Sequence, residues 1–486
     1  MGYMDKSIDE IRKALDNNEI TSEKLFKEAN ALAHKYQEEY NCFVTILDEK
    51  EEDTSNKTIL SGIPYGLKDN FSTKGILTTA SSNILKDYVP VYDATVYKKL
   101  KQAGAVLVGK TVLDELAMGG TGTTAHTGIV RNPWDKTRMI GGSSAGSAAA
   151  VALGIVPFAI GSDTGDSVRK PAAFGGVVGF KPTYGRISRY GLFAFASSLD
   201  HVGYFTRNVK DAAYITDILK GQDELDMTSL PDDGKKYVDT IDNEIKGRKL
   251  FYIKEAVDLE NYKDNDDPEL KETLKKFYET IELCKQIGFE VEGVSIDRKL
   301  LNALYPSYIA ISCAEATSNN ANLTGIPFGS RGDGKSIEEI MFNARTNGFS
   351  ELIKRRFVLG SLILQKENQE KLFLNAGRVR RMIVDKMNKL FEKYDGLIMP
   401  TSGGVAPKFG DKTDRLSDRY LILENHLVIG NFGGFPSISI PSGFVNGLPI
   451  SINITGRVFE DDVVLNMAYK IEEKLNYKNQ IAKGVK

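Results

Sequence analysis

The sequence predicts an α/β protein: a single large domain in which a mixed central β-sheet is covered by helices on both faces. Short apolar runs of strand length alternate with longer amphipathic stretches along the chain. No internal repeat or low-complexity tract interrupts this alternation, and 486 residues can bury a sizeable core. We therefore interpret residues 1–486 as one domain, with 1–60 as an N-terminal helical portion packed on it.

The first hundred residues predict helices and then strands. Ile8 and Ile11 share one helical face, and Thr21 is the expected N-cap of a second helix. A third helix, ATVYKKLKQAG, is expected to be capped by Asp93 and closed by Gly104. The strands predicted around these helices are NCFVTIL, GIPYGLK and AVLVGKT.

The rest of the chain continues the alternation. Further strands are predicted at IVPFAIG, RKLFYIKE, FEVEGVSI, YDGLIMPT, PSISIP and LPISINITGR. Asp267-Pro268-Glu269 is a strong helix start, and long helical regions are expected at about 307–322 and 336–394. A final helix is expected from Asp461 to about Leu475. Segment 221–300 combines an acidic surface excursion with a β-α-β unit.

Composition narrows the class of function. The chain is 41% hydrophobic and 26% charged, which is typical of a folded globular protein and argues against disorder. A formal net charge of −2 provides no global basic field for nucleic acid, so a partner or a local patch would carry contact with RNA. Three scattered cysteines, no signal region and no bilayer-length apolar run predict a cytoplasmic protein without a membrane partner.

Two glycine-rich turns carry the candidate nucleophiles. Ser143 and Ser144 lie in GGSSAG, and Ser167 follows the strand IVPFAIG in GSDTGDS. A serine hydroxyl needs a base, because it is almost wholly protonated near neutral pH. No Ser-His-Asp triad is supported, since none of the histidines lies in a G-x-S-x-G elbow: His34, His126, His201 and His426. His126, in a Gly/Thr loop, is the hardest of them to exclude.

Lysine is the alternative base. Lys68 closes the apolar run GIPYGLK, where burial would lower the lysine pKa and favour the neutral form. The competing interpretation is an ordinary lysine at a strand edge. The turn that follows IVPFAIG can point consecutive backbone N–H groups at one spot, which suits an oxyanion.

These stretches resemble the amidase signature family over nearly the full length of the chain. The resemblance rests on GIPYGLKDN, VGKTVLDELAMG, RNPWD, GGSSAGSAAAVALG, GSDTGDSVRKPAAFGGVVGFKPTYGRISRYGL and FASSLDHVG. It implies the amidase signature fold, with Ser167 as the acyl-accepting nucleophile and Lys68 as the general base. Ser143 is implied to be the bridging serine, preceded by a cis peptide bond.

The resemblance also implies a substrate pocket. The oxyanion would be held by the backbone N–H groups of Thr164, Gly165 and Asp166. Glutamine would be bound by Tyr308, Arg356 and Glu424, with Arg355 as a rival for the α-carboxylate. The sequence departs from the family pattern in several places. Asp166 replaces a glycine, Ala145 replaces another, and GGTGTTAHT replaces S-T-E-N-S. Glu424 lies where the family has aspartate, and the charged pair usual around R-x-D-G beyond CAEATSNNANLTGIPFG is missing. We expect the Asp166 carboxylate to point away from the oxyanion.

Within the family, the chain is similar to the glutaminase subunits of tRNA-dependent amidotransferases. The similarity implies a heterotrimer with the B and C subunits, in which ammonia from glutamine converts misacylated Glu-tRNA(Gln) or Asp-tRNA(Asn). The tRNA would bind mainly through the B subunit, and ATP and Mg would bind at the partner subunit. No cofactor or metal is expected in this chain. One alternative is a free-standing amidase acting on small amides.

A non-enzymatic alternative is a nucleotide-binding protein built around GSRGDGKS at residues 329–336, which satisfies the P-loop pattern. The preceding NNANLTGIPF is polar and interrupted by proline, whereas a P-loop requires a buried strand at that point. A solvated loop is the better interpretation.

Overall fold

The computed structural model of the chain describes residues 2–50, 56–262, 267–411 and 422–482. Residues 51–55 of the predicted N-terminal portion and 263–266 of segment 221–300 lie outside the described residues. The strands are β1 Phe43–Ile46, β2 Pro64–Lys68, β3 Val106–Thr111, β4 Phe158–Asp163, β5 Val178–Lys181, β6 His201–Thr206, β7 Lys249–Ile253, β8 Glu290–Val294, β9 Gly396–Pro400, β10 Ser437–Val445 and β11 Leu448–Gly456.

The helices begin near the N-terminus and are concentrated in the second half of the chain. They are α1 Ile8–Asp16, α2 Ser22–Tyr40, α3 Thr95–Gln102, α4 Ala145–Ala152, α5 Arg169–Gly175, α6 Val209–Leu219, α7 Tyr237–Thr240, α8 Lys254–Val257, α9 Pro268–Gln286, α10 Arg298–Asn302, α11 Leu304–Asn319, α12 Ile337–Gly348, α13 Glu351–Leu364, α14 Lys366–Gln369, α15 Asn375–Phe391, α16 Val428–Phe432 and α17 Asp461–Leu475. No helix among the described residues is long and apolar enough to cross a bilayer.

The strands form one mixed sheet in the order β1-β3-β2-β4-β6-β5-β10-β11-β9-β7-β8. β2 pairs in parallel with β3 and β4, whereas β10 pairs antiparallel with β5 and β11. Every residue of β2, β4 and β11 is buried, and because strand side chains alternate in direction, both faces of the sheet are covered. The predicted α/β class, with helices on both faces of a mixed sheet, is confirmed.

Local sequence signals explain several element boundaries. Thr21 accepts a hydrogen bond from Lys24 N at the start of α2, and Asp267 caps α9 ahead of Pro268. α17 begins and ends where the sequence predicts. β7 and β8 run parallel on either side of α9, so this segment is a β-α-β unit.

One local prediction is wrong. Asp93 does not cap α3: Ala94 is the N-cap, and the Asp93 carboxylate instead accepts a hydrogen bond from Lys74 N. The helical region predicted over 336–394 is confirmed, and breaks divide it into α12 to α15. Apolar residues at helical spacing continue through these breaks, so periodicity alone does not reveal them.

The candidate residues of the two glycine-rich turns and of GIPYGLK lie at one edge of the sheet. Lys68 is the last residue of β2, and Asp163 is the last residue of β4, the parallel neighbour of β2. The carboxyl ends of these strands therefore meet at the same edge, where open α/β sheets place their sites. α4 begins at Ala145 and packs on both strands, which places Ser143 and Ser144 at that edge.

Candidate active site

Lys68 is fully buried and surrounded by serine oxygens. Its Nζ lies 2.8 Å from Ser143 Oγ, 2.8 Å from Ser144 Oγ and 2.9 Å from Ser162 Oγ. Asn70 Nδ2 donates to the same Ser162 hydroxyl at 3.0 Å. None of the hydrogen-bond partners of Lys68 within the described ranges is a carboxylate, so no adjacent negative charge stabilises an ammonium form.

The electrostatics favour a neutral lysine. Burial lowers the pKa of Lys68 to about 7, although the more distant carboxylates of Asp114, Asp163 and Asp200 oppose this effect. Close to half of the Lys68 side chains are therefore unprotonated near neutral pH. This is the condition that a lysine must meet to accept a proton.

The hydrogen-bond directions leave one acceptor position for the Lys68 lone pair. Ser144 Oγ donates its proton to Ser162 O at 3.1 Å, so it can only accept from Lys68. Ser162 Oγ lies 2.9 Å from Lys68 Nζ, and it accepts a hydrogen bond from Asn70 Nδ2 and can accept a second one from Lys68. If the two N–H groups of a neutral amine are directed to Ser144 Oγ and Ser162 Oγ, its lone pair faces the Ser143 hydroxyl.

Ser143 lies in a buried turn with a distinctive backbone. The Gly142–Ser143 peptide bond is cis, as the sequence resemblance implies. The Ser143 carbonyl accepts a hydrogen bond from Asp114 N at 3.0 Å. The Asp114 carboxylate in turn accepts four backbone N–H groups from the glycine-threonine loop, those of Thr121, Gly122, Thr123 and Thr124. Asp114 thus joins the serine turn to the loop that departs from the family pattern.

Ser167 lies in the turn between β4 and α5 and is almost completely buried. Its carbonyl accepts a hydrogen bond from Ser144 N at 3.2 Å, which holds the two serine turns side by side. No backbone hydrogen bond among the described residues uses the N–H groups of Gly165, Asp166 or Ser167. These donors are therefore available to a developing negative charge.

A buried ion pair beneath the turn holds it in place. Arg169 contacts both carboxylate oxygens of Asp163, at 2.9 and 3.2 Å, and also donates to Gly165 O at 2.8 Å. Asn431 Nδ2 donates to Asp163 Oδ1 at 2.9 Å. Burial by itself raises the pKa of Asp163, but Arg169 and its hydrogen bonds hold it below its ordinary value. Sequence reasoning missed this pair, although both residues lie within the recognised motif.

The predicted substrate-binding residues lie around the turn. Tyr308 packs directly on Gly165, where an added Cβ would meet the tyrosine ring at 2.9 Å. Arg355 is exposed, whereas Nε and Nη1 of Arg356 are buried and have no hydrogen-bond partner in the described part of the chain. Burial raises the pKa of Tyr308 well above its ordinary value, and the nearby positive charge of Arg356 opposes that rise.

Glu424 and Asp166 both lie beside Lys170. Lys170 Nζ is 3.0 Å from Asp166 Oδ2 and 3.5 Å from Glu424 Oε2, and Gly403 N donates to Glu424 Oε1 at 2.6 Å. Lys170 is therefore the charge partner of the Asp166 carboxylate. The sequence alone does not explain why a carboxylate lies next to the nucleophile.

The structure gives backbone contacts for two of the histidines, and His126 Nδ1 is buried without a hydrogen-bond partner among the described residues. His201 and His426 are buried, and each contacts a backbone carbonyl through Nδ1. The glycine-rich segment 329–336 follows no strand, and Lys335 is exposed. Among the described residues, no group of three or more His, Cys, Asp or Glu side chains is arranged to hold a metal ion.

Comparison with models of protein families agrees with the resemblance seen in the sequence. The chain matches the family model described as Amidase over residues 21–465. The chain belongs to the amidase signature family. Members of this family hydrolyse amide bonds, which agrees with a buried lysine that contacts the Ser143 hydroxyl.

Relatives of similar length support a finer grouping. The A subunit of glutamyl-tRNA(Gln) amidotransferase from Heliobacterium modesticaldum is 40% identical, with 96% of each chain covered. The protein of the same name from Geobacillus sp. (strain WCH70) is 37% identical, with 99% of each chain covered. The solved structure of the A subunit of glutamyl-tRNA(Gln) amidotransferase from Thermotoga maritima superimposes with a TM-score of 0.81 at 36% identity, covering 97% of this chain and 95% of that one. A structure of 6-aminohexanoate cyclic dimer hydrolase gives 0.80 at 26% identity, covering 98% of both.

Proposed function

We propose that this chain is the glutamine-hydrolysing subunit of a tRNA-dependent amidotransferase. The observation that carries the proposal is Lys68, a fully buried lysine with a pKa near 7 that contacts Ser143 without a carboxylate partner. A base of this kind makes serine chemistry possible without histidine. Full-length similarity to amidotransferase subunits supports glutamine as the amide substrate.

The reaction begins with proton transfer along the serines. Neutral Lys68 takes the proton of Ser143, and Ser143 takes the proton of Ser167 as the Ser167 oxygen attacks the side-chain amide carbon of glutamine. The C=O bond opens to an oxyanion, which the N–H groups of the turn at Thr164, Gly165 and Asp166 stabilise.

The tetrahedral intermediate collapses with loss of ammonia. The proton held by Lys68 returns through Ser143 to the leaving nitrogen, the C–N bond breaks, and a γ-glutamyl ester remains on Ser167. Water then attacks the ester carbon and gives up a proton to the same lysine. Glutamate and ammonia are released, and Ser167 regains its proton.

Recognition of glutamine requires two opposite charges. The Arg356 guanidinium lies over the Phe195 ring, and its Nε and Nη1 are buried without a hydrogen-bond partner among the described residues. These two nitrogens provide a site for the α-carboxylate, because buried donors without an acceptor are costly until an anion binds them. Glu424 supplies negative charge for the α-ammonium group, and Tyr308 forms the wall beside Gly165. The exposed position of Arg355 favours Arg356 as the carboxylate ligand.

The partner subunits complete the reaction. Ammonia passes to a partner that uses ATP and Mg to activate the misacylated residue on Glu-tRNA(Gln) or Asp-tRNA(Asn). The net charge of −2 on this chain agrees with tRNA binding mainly through the B subunit. The complex with the B and C subunits would act in the cytoplasm, where aminoacyl-tRNA is used.

The test is activity with and without partners. The chain, affinity-tagged and isolated from its native host, should bring the B and C subunits with it, and the complex should convert Glu-tRNA(Gln) or Asp-tRNA(Asn) using glutamine and ATP. Ser167→Ala in the same complex should abolish glutamine-dependent conversion and leave conversion with added ammonium chloride. A chain that isolates alone and hydrolyses small amides at full rate would instead be a free-standing amidase.

A further inference from the structure

A single lysine joins two carboxylates next to the nucleophile. Lys170 Nζ lies 3.0 Å from Asp166 Oδ2 and 3.5 Å from Glu424 Oε2. Lys170 also donates to the Glu424 carbonyl at 2.9 Å, so its ammonium group is anchored to the backbone as well as to the side chains. The two carboxylates are therefore close enough together for one primary ammonium group to contact both.

The charge of this group is not balanced. Two carboxylates and one ammonium leave a net charge of −1, and the described residues place no second cation within salt-bridge distance of Asp166 or Glu424. The side chains of Asp166 and Glu424 keep 25% and 15% of their surface exposed, so both remain partly accessible to a ligand.

The negative group adjoins the nucleophile and the predicted substrate tyrosine. Asp166 lies between Ser167 and Gly165, the residue on which Tyr308 packs. The positive charge of Arg356 acts on the same tyrosine. A negative group and a guanidinium with two unsatisfied buried nitrogens therefore both lie near Tyr308, and an α-amino acid zwitterion carries the two complementary charges.

We propose that Asp166 is a second recognition carboxylate for the α-ammonium group of the substrate and acts together with Glu424. The inference rests on the proposed glutamine hydrolysis and deepens it. The substrate ammonium binds on the exposed side of both carboxylates and cancels the residual charge, while Lys170 stays in place and keeps the two side chains at a fixed separation.

This role explains how a carboxylate is accommodated beside an oxyanion. Lys170 draws the Asp166 carboxylate towards Glu424, and the bound α-ammonium group then offsets its remaining negative charge. A substrate without an α-ammonium group leaves that charge uncompensated next to the developing oxyanion. Asp166 therefore favours glutamine over amides that lack the amine.

The experiment compares two substrates in the complex isolated through a tag on this chain. Glutamine has the α-ammonium group, and glutaramate (5-amino-5-oxopentanoate) has the same amide and carboxylate without it. The measured quantity is the ratio of kcat/KM for glutamine to kcat/KM for glutaramate. Asp166→Asn, which is nearly isosteric, should lower this ratio about tenfold, as expected for the loss of a charge-assisted contact. Asp16→Asn, at an exposed carboxylate in α1, is the matched control and should leave the ratio unchanged.

The ratio separates recognition from damage to the turn. If Asp166→Asn slows both substrates equally, or leaves the ratio within twofold of wild type, Asp166 does not read the ammonium group and the inference is overturned. Glu424→Gln distinguishes that failure from failure of the proposed function. If only this variant lowers the ratio, Glu424 recognises the α-ammonium group of glutamine without Asp166. A wild-type complex with no preference for glutamine overturns both.

Discussion

The buried position of Lys68 predicts a specific pH dependence. An unperturbed lysine has a pKa of about 10.4, so at pH 7.5 only about one molecule in a thousand would be neutral. Burial lowers the pKa of Lys68 to about 7, and most of the population is then neutral at that pH. The environment of this one side chain therefore raises the fraction of active base by a factor of several hundred.

The assay is the pH profile of kcat/KM for glutamine hydrolysis in the isolated complex. Because protonation inactivates the base, the rate should fall about tenfold per unit below pH 7 and level off above it. Lys68→Ala should lower the rate by about 10²–10⁴. A profile that stays flat down to pH 5, or that rises only near pH 10, would refute the assignment of Lys68 as a neutral base.

Two further predictions concern the residues that shape the site. Asp163→Asn removes the charge partner of buried Arg169 and should lower the free energy of unfolding by about 3–5 kcal/mol, measured by urea denaturation. A loss below about 1 kcal/mol would show that this ion pair is not important for stability. Arg356→Met should raise KM for glutamine at least tenfold, because it removes the donors proposed for the α-carboxylate. Arg355→Met, at the exposed neighbouring arginine, should leave KM unchanged. The reverse result would assign the α-carboxylate to Arg355.

The sequence predicts the fold well wherever local signals are strong. Thr21 and Asp267 cap helices as expected, because a side-chain acceptor before an amphipathic run has few alternative roles. Asp93 fails as a cap because its carboxylate binds Lys74 N from a distant turn, a tertiary contact that no local pattern encodes. The breaks between α12 and α15 are not predicted either, because apolar residues at helical spacing continue across them.

The site is predictable only in part. Lys68, Ser143 and Ser167 follow from glycine-rich turns, a strand end and the family resemblance. Ser144 and Ser162, which complete the surroundings of Lys68, have no separate signal, because the sequence around a serine does not show whether its hydroxyl faces a lysine. Their roles depend on the parallel pairing of β2 with β4, which brings residues almost a hundred positions apart into contact.

The central claim is that Ser167 forms a covalent γ-glutamyl ester with the help of Lys68. The most direct measurement is mass spectrometry of the complex quenched in acid during turnover of glutamine. We expect a γ-glutamyl adduct on the peptide containing Ser167, lost in Ser167→Ala and retained in Ser330→Ala, a loop serine outside the site. An adduct on another residue, or wild-type rates of glutamine hydrolysis in Ser167→Ala, would contradict the mechanism.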